Sequence, residues 1–288
     1  MRLAILGAIA ASALLAASVV GHGAPAQAQA AAPSADWRTV APENLLVIET
    51  AKGRILVELS PQAAPQHVAR IRTLAARGFY DGLKFHRVIA NFMAQTGDPL
   101  GTGLGGSDLP DVPGEFSFRR GAEGFTQVAI PGSAVYGLYG SLPIQTQPDA
   151  QMMITADFKV DAHGLFCPGV LGMARAGDPN SANSQFFLMS GRNASLDGGY
   201  TAFGRILQGL DVVKTLKTGA AGGDGAVTDP DVMTRVRIAS DLPAGQAPVV
   251  RVATPQSPAF TTALATLTRD RAARLSICDV EPIVEVQG

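Results

Sequence analysis

The run Phe85-His86-Arg87-Val88-Ile89-Ala90-Asn91-Phe92-Met93-Ala94-Gln95 sets a permanently charged guanidinium among large apolar side chains, with a neutral amide eight residues beyond it. A second segment, Met173-Ala174-Arg175-Ala176 and then Asn183-Ser184-Gln185-Phe186-Phe187-Leu188, has the same mixture and reads as its partner. Neither holds an activated nucleophile or a metal cage. Ser184 lacks a His/Asp set, and His67 and His163 have no partners at metal-ligand spacing. The chemistry left is non-covalent: a fixed cation and amides that hydrogen-bond beside an apolar slot. Gly101-x-Gly103-x-x-Gly106 has dinucleotide-fingerprint spacing, but Pro110 and the lack of a following helix deny it the required setting.

Strands must hold these residues. Leu45 to Glu49 and Arg54 to Leu59 read as two strands joined by Ala51-Lys52-Gly53. Pro61 to Arg77 reads as a helix: Pro65 suits its first turn, Val68, Ile71 and Leu74 recur at helical spacing, and Gly78 stops it. Lys84 to Gln95 returns to strand character. Alternation there sends His86 to the face opposite Arg87, which predicts a structural role for His86. Thr201 to Ile206 reads as another strand, Leu210 to Leu216 as a short helix closed by Gly219, and Thr234 to Ile238 as a final strand. Periodicity alone yields a β-rich fold with two helices.

The Phe-His-Arg and Phe-Met-x-Gln pattern, Ala174-Arg175, Gln185-Phe186-Phe187 and Ser195-Leu196-Asp197-Gly198 together resemble the active face of cyclophilin-type peptidyl-prolyl cis–trans isomerases. The resemblance covers roughly residues 44–243. It implies a mainly β fold: a closed eight-stranded antiparallel barrel capped by two helices, with no strand edge left unpaired. It implies Arg87 as the catalytic donor and Phe92, Met93, Phe187 and Leu196 as the proline pocket. Gln95, Gly103, Ala174, Arg175, Gln185 and Tyr200 become the substrate groove, with Gln95 orienting Arg87 and Gly103 letting substrate backbone approach. No metal or cofactor is implied, and the partners are proline-containing polypeptides. Three positions depart from the family pattern. Ser195 replaces a Trp that helps bind cyclosporin, so weak cyclosporin binding is expected; Tyr200 replaces a groove His. Arg175 stands where many members carry Asn, its backbone making the contact.

The 288-residue chain balances 23 Lys+Arg against 24 Asp+Glu and has no basic stripe, which speaks against nucleic acid as a partner. Met1-Arg2, an uncharged Leu3 to Val20 and the small-residue sites Ala26-Gln27-Ala28 and Ala28-Gln29-Ala30 predict a signal peptide over residues 1–30. Its cleavage would leave no stable membrane span and a periplasmic or secreted protein. Residues 31–43 read as a flexible lead-in, about 117–165 as a long insertion and 244–288 as a C-terminal extension. Within the extension, Ser257-Pro258 caps a helix over Phe260 to Leu275, and Ile277 to Val286 supplies an added strand. Cys167 and Cys278 permit one disulfide in an oxidising compartment, or serve as two buried thiols. The expected function is cis–trans isomerisation of X–Pro bonds in exported proteins, assisting their folding. The alternative is a peptide-binding or chaperone module on the same fold, using the insertion or tail as its interface.

Overall fold

Both faces of the first hairpin are apolar, and two different layers cover them. The computed structural model describes residues 36–287, so the expected signal peptide lies outside the described residues. In chain order, β1 (Trp37–Thr39) precedes the hairpin β2 (Leu45–Thr50) and β3 (Gly53–Leu59); helix α1 (Pro65–Ala76), β4 (Arg87–Ile89) and β5 (Met93–Thr96) follow. Five strands occupy the insertion: β6 (Phe118–Arg120), β7 (Phe125–Val128), β8 (Val135–Tyr139), β9 (Leu142–Thr146) and β10 (Val160–Gly164). Next come β11 (Val170–Met173), β12 (Phe186–Met189), β13 (Ala202–Gln208), α2 (Leu210–Lys214) and β14 (Met233–Ile238). The extension carries β15 (Val249–Ala253), α3 (Pro258–Arg271) and β16 (Val284–Gln287).

The main sheet has eight antiparallel strands in the order β14-β2-β3-β13-β11-β12-β5-β4. Leu46, Ile48, Ile55 and Val57 point to its inner core with Phe186, Leu188 and Phe203, and α1 covers that core with Val68, Ile71 and Leu74. Leu45, Val47 and Leu56 point the other way, against Val250 and Val252 of β15. A strand buried on both faces reads as a continuous apolar run rather than an alternating one.

The sheet is a curled half-barrel, and its ladder does not close as expected. β4 and β14 are the two ends of the ladder. The reason is that an irregular segment takes the outer edge of the three-residue β4: Val88 N donates to Gly225 O (2.7 Å), and Gly219 N donates to Val88 O (2.9 Å). Among the described residues, isolated bridges such as Lys84 to Val232 and Arg87 to Ala226 cross the seam in place of a continuous ladder.

Other expectations also change. Lys84 to Gln95 is two strands, broken by a turn in which Asn91 adopts φ 56°, a left-handed conformation that asparagine tolerates. The expected flexible lead-in contains β1, which pairs with β15 from Trp37 opposite Ala253 to Thr39 opposite Arg251. The added strand of the extension is shorter than expected, β16 covering only Val284–Gln287, and the unexpected β15 joins it in a three-stranded sheet ordered β1-β15-β16. Helix α1 begins at Pro65, with Ala64 offering no side-chain cap. Glu115 supplies the cap instead, accepting from Gln66 N and His67 N (both 3.1 Å) and from His67 Nδ1 (2.7 Å).

The insertion forms its own sheet, β6-β10-β9-β8-β7. Cys167, just past its last strand, is disulfide-bonded to Cys278 in the extension. Arg205 of β13 is 2% exposed and donates to Ser141 O (3.1 Å) in the insertion and Val280 O (2.9 Å) in the extension. Burial pushes its guanidinium pKa down to about 10. No helix among the described residues is long and apolar enough to cross a membrane.

Candidate active site

Strand register builds the site as one row of side chains. Arg87 of β4 lies opposite Gln95 of β5, Gln95 opposite Phe187 of β12, and Phe187 opposite Gly172 of β11. Partners across a ladder share a face, so the row sets cation, amide and aromatic ring side by side outside the inner core. The alternate residues Val88, Ala94, Phe186 and Leu188 fill that core. Gly172 ends the row for a steric reason: a Cβ there would sit 2.4 Å from Phe187 Cζ and 2.5 Å from Phe166 Cε1.

Hydrogen bonds then orient the polar members in sequence. Arg87 Nε donates to Asp224 O (2.7 Å) and Nη1 donates to Gln95 Oε1 (3.2 Å). Gln95 Nε2 donates to Gln185 Oε1 (2.9 Å), and Gln185 Nε2 donates to Gly103 O (3.0 Å) and Gly105 O (2.8 Å). Arginine only donates and carbonyls only accept, so both amides have one self-consistent orientation along this chain. Two of the five guanidinium N–H groups are thus spent on holding Arg87, and the remainder is free to face a bound molecule.

The glycine loop is held equally firmly. Asp98 accepts from the backbone N–H of Leu100 (2.8 Å), Thr102 (2.8 Å) and Gly103 (2.5 Å). Burial pushes the Asp98 carboxyl up, but these bonds and one from Gly105 outweigh it and hold the pKa below the ordinary range. Gly103 adopts φ 86°, where a side chain would be strained. His86, 7% exposed, lies beneath this loop with Nε2 toward Gly103. Burial is the main cause that lowers its pKa, Arg87 adding to it and Asp98 opposing.

A cavity of about 130 Å³ is lined by Arg87, Phe92, Met93, Gln95, Ala174, Arg175, Phe187, Leu196 and Tyr200. Every residue expected at the catalytic position and in the proline pocket therefore meets in one depression. A neighbouring depression of about 420 Å³ shares Gln95, Ala174 and Arg175 and adds Gly103 and Gln185, so the expected groove residues form a continuous surface with it. A cleft of about 700 Å³ elsewhere, between β1, the β7–β8 hairpin and the extension, contains none of these residues. Size alone would favour that cleft. The small cavity is preferred because Arg87 is held there by a carbonyl and an amide, whereas the cation of the larger cleft, Arg38, is paired to both oxygens of Glu58.

Arg175 works through its side chain as well as its position. Its guanidinium stacks 4.4 Å over the Tyr200 ring and donates to Gly199 O (3.0 Å). Tyr200 in turn meets Phe187 edge-on, with centroids 6.0 Å apart. Leu196 comes from a one-turn helix, Ala194–Leu196, capped by Asn193. Ser195 is exposed there. Residues 117–165 and 244–288 line neither depression.

Sequence reasoning missed Asp224, Phe166 and Gly172. Asp224 contributes only a main-chain oxygen, which no residue type announces. Phe166 stands behind Phe187, centroids 5.7 Å apart. Gly172 lies mid-strand, and a strand glycine signals close approach of a neighbour without naming it.

Comparison with known proteins agrees with this geometry. The family model for cyclophilin type peptidyl-prolyl cis-trans isomerases matches residues 45–238. The chain is 35% identical over 211 residues to a probable peptidyl-prolyl cis-trans isomerase of Brucella suis, spanning 69% of this chain and 85% of that protein. It is 34% identical over 171 residues to a peptidyl-prolyl cis-trans isomerase-like 1 of Rhizopus delemar, spanning 59% and 78%. The crystal structure of cyclophilin AquaCyp293 from Hirschia baltica superposes with a TM-score of 0.78 at 37% identity, over 87% of this chain and 93% of that one.

Proposed function

The chain belongs to the cyclophilin-type peptidyl-prolyl cis–trans isomerases, and on that premise we propose that it isomerises X–Pro bonds of exported polypeptides and assists their folding. The observation that carries the site assignment is the oriented Arg87 guanidinium lining the same cavity as Phe92, Met93, Phe187 and Leu196. The periplasmic or secreted location rests on the export-type residues 1–30 and is supported by the disulfide.

Rotation about an imide bond must overcome a barrier of roughly 18–20 kcal/mol set by resonance between nitrogen and carbonyl. No covalent bond has to break. The catalyst must grip the ring, restrain the flanking chain and favour the twisted state over both planar ones. Twisting returns a lone pair to the prolyl nitrogen, so a donor aimed there acts only in the transition state. Arg87 supplies that donor, and its two anchoring bonds keep it from following the substrate.

Burying three ring methylenes at about 0.8 kcal/mol each contributes roughly 2.4 kcal/mol. Millimolar affinity needs about 4.1 kcal/mol, so hydrogen bonds to the substrate backbone along the groove supply the rest. Ground-state binding stays weak, as turnover requires. With Ser195 exposed where an indole would pack, cyclosporin binds weakly. The insertion and extension stay off the groove lining, which removes the reason to read them as covering it.

The test has two arms. NMR exchange of an Ala-Pro peptide compares wild type with Arg87→Ala; near-background rates for both would overturn the isomerase activity, and equally fast exchange in both would overturn the site assignment. Fractionation of cells expressing the full chain reports location, and retention of an uncleaved protein in the cytoplasm would overturn the exported role.

A further inference from the structure

The wall behind the proposed proline pocket is tied to the C-terminal extension through a bond that can be opened. Phe166 does not line the cavity, yet it touches two residues that do. Its ring lies 5.7 Å from that of Phe187 and meets Tyr200 edge-on at 6.5 Å. Its main chain is held by the segment that presents Leu196: Phe166 N donates to Asp197 Oδ1 (2.9 Å), and Phe166 O accepts from Asn193 N (3.1 Å). Three walls of the pocket therefore refer to the position of one residue. The next residue is Cys167, fully buried and bonded to Cys278. Cys278 sits in the turn Ile277–Asp279, which a capping box between Ser276 and Asp279 stiffens.

We propose that the Cys167–Cys278 disulfide is a positioning clamp on the proline pocket, so that thiol–disulfide exchange sets how tightly the enzyme holds proline. This rests on the isomerase reading above and deepens it. The two cysteines differ in access, since residue Cys167 is fully buried and residue Cys278 is partly exposed. Exchange therefore enters at Cys278. A dithiol reductant attacks Cys278 Sγ as a thiolate, the Sγ–Sγ bond breaks and Cys167 leaves as a thiolate that takes up a proton. The second thiol of the reductant then displaces Cys278, so two electrons and two protons pass to the protein and the reductant becomes a cyclic disulfide. Arg205 still holds Val280 O after this step, so the extension stays attached while the Phe166 segment gains freedom. The outcome is a graded loss of grip, without release of the tail.

The experiment uses the full chain, oxidised and after dithiothreitol, with an Ala-Pro tetrapeptide as probe. Peptide Kd comes from NMR titration, kcat from exchange spectroscopy, and pocket geometry from the Leu196 methyl and Phe187 ring resonances. Reduction raises Kd on the order of threefold to tenfold, equivalent to about 0.7–1.4 kcal/mol, shifts both sets of resonances and changes kcat by less than about twofold. Reoxidation restores the starting values, and Cys278→Ala shows the reduced values with or without dithiothreitol. Phe166→Leu provides a variant with the disulfide intact, in which Kd rises to the same extent. Unchanged Kd and resonances on reduction, with only the melting temperature lowered, would overturn the proposal, as would unchanged Kd in Phe166→Leu. Failure of the isomerase reading looks different: the oxidised chain would bind peptide without accelerating exchange.

Discussion

Replacing Arg87 by alanine removes a cation whose direction is set by Asp224 O at 2.7 Å and Gln95 Oε1 at 3.2 Å. A charge-assisted hydrogen bond contributes about 1.5–3 kcal/mol, and about 1.36 kcal/mol corresponds to one decade in rate. Arg87→Ala is therefore expected to lower kcat/KM roughly 10-fold to 150-fold. The fall belongs in kcat, because the donor meets a nitrogen lone pair that exists only in the twisted state; peptide Kd should change by less than about threefold. Arg87→Lys keeps the charge but loses the Nε anchor and the planar fork, so it should recover only part of the rate. Arg87 is half-buried at a sheet edge, and its loss should leave thermal unfolding nearly unchanged. Exchange NMR on an Ala-Pro peptide supplies the rate, a peptide titration supplies Kd, and calorimetry confirms the fold. A kcat within about twofold of wild type in a folded Arg87→Ala protein refutes the reasoning, and so does a loss carried wholly by Kd.

Gly172→Ala should destabilise the fold by about 1–3 kcal/mol in urea titrations and weaken peptide binding, since the new methyl meets the Phe187 and Phe166 rings at 2.4 and 2.5 Å. Burial is the leading cause that holds His86 and His163 below their ordinary pKa, so below about pH 6.5 the unfolded chain takes up protons first. Their contribution is full above that pH and is lost as pH falls through it; the urea midpoint should drop between about pH 7.5 and about pH 5.5, and less so in His86→Leu. Ser257 Oγ accepts from Phe260 N at 3.0 Å, so Ser257→Ala should cost about 1 kcal/mol by chemical denaturation, with peptide exchange rates unchanged.

What local chemistry dictates was legible in the chain. Gly53 marks the first hairpin, Pro65 and Gly78 bracket α1, and Ser257-Pro258 opens α3. Strand alternation separated Arg87 from His86, and the structure places Arg87 in the cavity lining while His86, just before β4, lies beneath the glycine loop. The misreadings share a different cause, which is that the deciding partner lies far away. Ala90-Asn91 carries no glycine or proline, and Asn91 alone is a weak turn signal inside an apolar run, so the break between β4 and β5 is easily missed. Trp37–Thr39 is too short to show alternation and becomes a strand only because β15 offers it an edge. The cap on α1 comes from Glu115, 48 residues beyond His67. Ladder closure fails because a loop, whose composition reads as mere connection, takes the bonds of Val88.

Arg205 gives the chain a mechanical unity that its piecewise sequence hides. One side chain on β13 grasps a carbonyl from each added part, Ser141 on one side and Val280 on the other, in a place water does not reach. A truncation that strips either segment removes one of the two carbonyl acceptors and uncovers the guanidinium, so the loss includes a charge-assisted hydrogen bond of about 1.5–3 kcal/mol as well as packing. Trimming this enzyme toward a minimal catalytic core therefore means redesigning the surface around Arg205 in the same step.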